Sequence, residues 1–141
     1  MRKISRGFTL YELLVVVIII AITAALALPN FGGMKERSLG REAKAQLKLI
    51  SGAEKSYHMD SGSFYPYDGS TVASLSAINS NLSLSLTNTS FDYSVTGGQN
   101  SFSNLADRKG SGSYLDCQYS LSYNISNATN PEDPTANSSC P

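Results

Sequence analysis

Residues 13–28 hold a single polar side chain, Thr23, in a run of Leu, Val, Ile and Ala. With Phe8 to Glu12 in front, the stretch is 21 residues long, about 31 Å as a helix rising 1.5 Å per residue. That length matches the hydrocarbon layer of a bilayer and rules out a strand. Pro29, Asn30 and the Gly32-Gly33 pair follow. They predict a kink or weak point, since proline removes a backbone donor and glycine costs about 1 kcal/mol inside a helix. After the break the pattern changes. Leu39, Ala43, Leu47, Ile50, Ala53 and Tyr57 recur at steps of three and four, while Arg37, Arg41, Lys44, Lys48, Glu54 and Lys55 fall largely on the other faces. This predicts an amphipathic helix from about Met34 to His58. The first half of the long helix wants lipid or sister helices. The second half wants a small domain against one face.

From Asp60 onward Ser, Asn, Thr and Gly take over, with short runs of period two. Ser90 to Val95, Tyr114-Leu115 and Gln118 to Ile125 alternate as strands do, and Gly97-Gly98 and Gly110-Ser111-Gly112 supply turns. Three or four antiparallel strands with polar outer faces are expected on the helix stripe, with residues 127–141 as irregular loop. The fold class is α+β: one long N-terminal helix packed against a small antiparallel sheet. A chain of 141 residues has room for one such domain and the helix, not two cores.

Net charge is zero, but its distribution is not. Arg2, Lys3 and Arg6 precede any acid, whereas from Asp60 to the end seven acids face only Arg108 and Lys109. A basic head before an apolar run places the N-terminus on the cytoplasmic side of a membrane and the acidic remainder outside. Cys117 and Cys140 both lie on that outer side. They fit one loop-closing disulfide in an oxidising compartment; two free buried thiols would require a reducing one.

Residues 6–12, Arg-Gly-Phe-Thr-Leu-Tyr-Glu, resemble the class III signal of type IV pilins and type II secretion pseudopilins: a short basic leader ending in Gly, then Phe-Thr-Leu-x-Glu and an apolar run. Tyr11 stands where the family usually has an aliphatic residue, and Pro29 stands where it commonly has a helix-breaking proline. Ala53, Tyr57, Gly62, Tyr65 and Pro66 are similar to the helix-end pattern of many such proteins. A looser similarity covers Phe91, Tyr93, Ala106, Arg108, Tyr114 and Cys117. The resemblance implies a leader of residues 1–7, a polymerisation half of the helix at 8–33, an amphipathic half at 34–58 and a globular domain at 59–141. It also implies that a prepilin peptidase cuts between Gly7 and Phe8 and that the new Phe8 amine is methylated.

The chemistry of Glu12 agrees with that. A carboxylate in an apolar helix costs about 2.5–3.5 kcal/mol on insertion scales, and no Lys or Arg lies between Gly7 and Lys35. Cleavage after Gly7 creates a cation where none existed, about one helical turn from Glu12. Glu12 and Pro29 are the expected assembly residues. The expected partners are identical subunits in a homopolymer, the peptidase, a pilus or secretion assembly machinery, and the cytoplasmic membrane before assembly. No nucleic acid is expected. A major pilin is the first expectation, a minor pilin or pseudopilin the alternative.

Simpler readings compete at several residues. Ala25-Leu26-Ala27 could be a signal-peptidase site, but the apolar run after Glu12 exceeds an ordinary h-region and the helix continues beyond it. A plain membrane anchor is the other alternative. His58, the lone histidine, has no Cys or His at ligand spacing and is expected on the surface. Asp107, Asp116, Glu132 and Asp133 could form a calcium loop, as in major pseudopilins, but their spacing fits no known loop closely. The sequons at Asn81, Asn88, Asn124, Asn127 and Asn137 follow from Asn/Ser-rich composition. No nucleophile–base pair or phosphate loop is present in the sequence, so no enzyme, cofactor or metal is expected.

Overall fold

The structure is a computed structural model that describes residues 7–26, 31–87, 90–110, 114–127, 130 and 133–141. The chain divides into two compact units, Met1–Met34 and Lys35–Pro141. The first contains helix α1, Leu10–Leu26. Helix α2, Phe31–Ser61, begins at the end of the first unit and lies mostly in the second. It takes in Gly32 and Gly33, which the sequence places in the break. Both sit in its first turn, where the first backbone N–H groups have no partner within the helix and glycine's weak propensity matters least. Pro29 lies outside the described residues.

The second unit folds because one stripe of α2 meets one face of a sheet. Strands β1 (Thr71–Val72), β2 (Phe91–Gly97), β3 (Ser101–Arg108), β4 (Gln118–Asn124) and β5 (Thr135–Ala136) pair antiparallel in chain order. Period two sends Phe91, Tyr93 and Val95 of β2, Phe102 and Ala106 of β3, and Tyr119 and Leu121 of β4 to the inner face, all buried. Ala43, Leu47 and Ile50 of α2 join all of these but Phe102 in one cluster, while Phe102 packs on Phe64 and Tyr123. Burying a side chain of Leu or Ile size is worth about 1.5–3 kcal/mol, so this stripe holds the domain together.

Three features differ from the expected layout. A short helix α3, Leu75–Asn81, stands between β1 and β2, with Ser74 as its N-cap accepting from the Ala77 N–H at 3.4 Å. It packs on β2 and contributes buried Ile78. Residues 114–115 form a turn rather than a strand, and the turn delivers Cys117 to β4. Part of the tail adds to the sheet as β5.

Glycine is needed at one helix end and at one close approach. Gly62 ends α2 with φ 79° and donates to the His58 carbonyl at 2.8 Å, the usual left-handed stop. Gly97 lies beneath the segment that follows Gly62: a Cβ there would collide with the Tyr65 carbonyl.

Candidate assembly site on the first helix

From Gly7 to Ala25 every residue is exposed. Between Leu13 and Ala25 the only polar side chain is Thr23, and its hydroxyl donates to the carbonyls of Ile19 and Ile20 at 2.9 and 3.0 Å, so it asks nothing of an outside partner. An isolated helix of this length is marginal in water, and one this apolar needs a nonpolar environment or other helices. Among the described residues no helix is long and apolar enough to cross a membrane. Helix α1 has 17 residues, shorter than the apolar stretch counted in the sequence, because Phe8 and Thr9 precede it and residues 27–30 lie outside the described set.

At the start of α1, Thr9 and Glu12 form a capping box. Thr9 Oγ1 accepts from the Glu12 N–H at 3.2 Å, while Glu12 Oε2 accepts from the Thr9 N–H and from its hydroxyl, each at 2.9 Å. The Ser/Thr-x-x-Glu spacing that announces this box was in the sequence, and Thr9 is the hydrogen-bond partner of Glu12 that sequence reasoning missed. The Glu12 carboxylate is therefore anchored inside its own turn, beside the orphan N–H groups of a helix start, where negative charge is favoured. Both bonds fall on Oε2, and Oε1 has no partner among the described residues. Gly7 and Phe8 lie just ahead, outside the helix and exposed.

The other singled-out residues lie in the second unit. Cys117 and Cys140 are joined by a disulfide across 23 positions, tying the start of β4 to the chain's last residues. His58 stacks on Phe64 with ring centroids 4.4 Å apart. The acids weighed as a calcium loop do not converge: Gln118 bonds Asp107, Lys48 pairs with Asp133, and Glu132 lies outside the described residues. Among the described residues no three His, Cys, Asp or Glu side chains form a metal-holding group.

Two acids on α2 have roles that the helical pattern hides. Glu36 makes a bidentate pair with Arg108 of β3, both oxygens at 2.9 Å, and Arg108 also donates to the carbonyls of Ser90 and Lys109. The Arg108 hydrogen bonds hold the Glu36 carboxyl below its ordinary range. Glu54, expected on a polar face, is fully buried. The segment after Gly62 covers it, and its Oε2 accepts from the Tyr65 N–H at 2.8 Å. Burial pushes its pKa up from 4.5 to about 7 despite that bond.

Residues 2–28 match the family described as the prokaryotic N-terminal methylation motif. That motif takes in Gly7, Phe8, Thr9 and Glu12. It is 53% identical over 53 residues to the type IV major pilin protein PilA of Myxococcus xanthus, covering 38% of this chain and 24% of that protein. It is 39% identical over 62 residues to type II secretion system core protein G of Klebsiella pneumoniae, 44% of each chain. A fimbrial protein, EcpC of Eikenella corrodens, is 34% identical over 79 residues, 56% of this chain and 51% of that one. The matched stretches thus span between a quarter and about half of these relatives. No solved structure matches the chain. Helices α1 and α2 with a small antiparallel sheet make the α+β class expected from the sequence.

Proposed function

We propose that this chain is the major structural subunit of a type IV pilus-like filament, built through its N-terminal helix after cleavage between Gly7 and Phe8 and methylation of Phe8. The observation that carries the proposal is the wholly exposed apolar helix that starts with an anchored carboxylate. Such a helix is stable in a membrane or among copies of itself, and a bundle of copies uses every face of it. Gly7 and Phe8 are in non-helical backbone, which a peptidase can bind extended. Removing the leader frees an amine close to Glu12, whose Oε1 can take a cation from its own or a neighbouring copy. Before assembly the subunit is a single-pass protein of the cytoplasmic membrane with its start inside; afterwards it is at the cell surface. The disulfide suits the oxidising side.

The second reading is a minor pilin or type II secretion pseudopilin, favoured by the match to core protein G over a longer stretch than the match to the pilin. Shearing filaments from cells and identifying their principal subunit separates the two. The major-pilin proposal expects this chain to dominate, with an intact mass that begins at Phe8 and carries one methyl group. A trace amount in the sheared fraction favours the second reading. A chain that begins at Leu28 contradicts both.

A further inference from the structure

Positive charge runs down one flank of α2. Arg37, Arg41, Lys44, Lys48 and Lys55 follow one another at steps of four, three, four and seven. At 3.6 residues per turn all five fall within an arc of about 60° along about 27 Å of helix. Like charges three and four apart repel, and among the described residues no acid of the helix forms an ion pair with them. Glu36 is bound to Arg108, Glu54 is buried, and Glu42 accepts from Gln46. Lys48 meets Asp133, the sole ion pair of the stripe among the described residues. Arg37, Arg41 and Lys44 border a cavity of about 190 Å³ with Gly40, Tyr119 and Pro141. The Tyr119 hydroxyl comes so close to Gly40 that a Cβ would collide with it, and Lys44 Nζ stands 5.4 Å from the Tyr119 ring centre.

The opposite arrangement occurs on the outer face of the sheet. Register places Asp92 of β2 directly across from Asp107 of β3, both exposed, with exposed Asp116 just before β4. Like charges directly opposite weaken a sheet. Lys109 reaches Asp92 at 2.8 Å, but among the described residues Asp107 receives only the neutral Gln118 amide.

We propose that these two surfaces meet between neighbouring copies, the Arg37–Arg41–Lys44 cluster of one subunit against the Asp92–Asp107–Asp116 corner of the next. Each copy has both surfaces, on different faces of the same domain. A contact between unlike patches is head-to-tail, and it builds an open helical polymer when the rotation does not close. The cluster suits carboxylates better than a nucleic-acid backbone. Ser51 and Gly52 interrupt the stripe and Asp133 neutralises part of it, so no continuous cationic track remains. The inference rests on the filament proposal and adds the contact that sets the register of the outer domains.

The test replaces the chromosomal copy in the bacterium that makes the chain. Three versions are needed: Arg41→Glu with Lys44→Glu, Asp107→Lys with Asp116→Lys, and all four together. The readout is sheared filament relative to the membrane pool, with the disulfide-bonded pool as the folding check. Each reversed pair is expected to lower the ratio about tenfold, and the four-fold swap to bring it back to within about threefold of wild type. If a reversal depletes the pool, the neutral pairs Arg41→Gln with Lys44→Gln and Asp107→Asn with Asp116→Asn take its place, with a smaller loss expected. An unchanged ratio in either pair, or a swap no better than the worse pair, overturns the inference. So does normal filament yield from the basic-side variant together with lost retention on immobilised DNA, which assigns the stripe to polyanions. Absence of filaments from wild type would instead remove the filament proposal itself.

Discussion

Helix α1 leaves every described side chain exposed, from Leu10 to Ala25, although nearly all are apolar. Helix α2 is far more polar, yet it buries Gly40, Ala43, Leu47, Ile50, Ser51 and Glu54 along one stripe. The contrast separates two uses of a helix. In α2 the apolar residues are satisfied by the chain's own sheet, so they determine whether the domain folds. In α1 they are exposed from Leu10 to Ala25, so under the filament proposal they determine what the chain joins.

That division predicts unequal responses to the same truncation. Leu47→Ala opens a cavity in a fully buried cluster and should lower domain stability by about 3–4 kcal/mol in chemical denaturation. Ile20→Ala in α1 should leave the domain within about 0.5 kcal/mol of wild type while reducing filament yield. Equal loss of domain stability from both would break the comparison.

Reduction of Cys117–Cys140 acts on the domain alone. Its closed loop spans 23 positions, worth about 3 kcal/mol in the chain-entropy model. Thiol labelling before and after reductant, followed by denaturation of the reduced protein, measures it. Labelling without reductant would mean free thiols.

Arg108→Ala removes a bidentate partner and leaves half-buried Glu36 without its guanidinium. The expected loss is about 2 kcal/mol. Arg108→Lys should recover only part of it, because an ammonium cannot match the two-oxygen geometry. Full recovery by Lys would reduce this fork to a simple charge contact.

The smallest effect is the one with a pH signature. Between its ordinary value of 4.5 and about 7, Glu54 keeps its proton in the folded chain and has lost it in the unfolded one. Stability should therefore be highest below that window and fall as pH rises through it. Glu54→Gln keeps an acceptor for the Tyr65 N–H and carries no charge. It should flatten the profile and gain on the order of 1 kcal/mol at pH 8. Melting temperatures of both proteins from pH 4.5 to 8 are the check, and parallel profiles would show that burial does not govern this carboxyl.

The pattern of apolar residues made both helices legible, because 3.6-residue periodicity and unbroken apolarity are local signals. Strand β2 was legible for the same reason. Strand β3 was not, since Asn104 occupies an inward position and interrupts the alternation of Phe102 and Ala106. Helix α3 has seven residues, too few for periodicity to emerge. Glu54 was placed on a polar face because charge ordinarily marks solvent. Only the segment returning over it after Gly62 makes it a core residue. The Arg108–Glu36 pair joins residues 72 apart, and no local pattern announces such a contact. The capping box differs from these, being a four-residue signal that was readable and that changes how Glu12 is understood. Glu12 is held by its own turn before any partner arrives.

The central claim is that this anchored carboxylate serves assembly rather than folding. Glu12→Gln and Glu12→Val, expressed beside wild type, test it through one ratio, sheared filament to membrane pool. The Gln variant keeps shape without charge, and the Val variant removes both charge and capping. The account predicts normal pools of disulfide-bonded subunit and a filament fraction reduced about tenfold or more in both. Wild-type filament yield from both variants would contradict it.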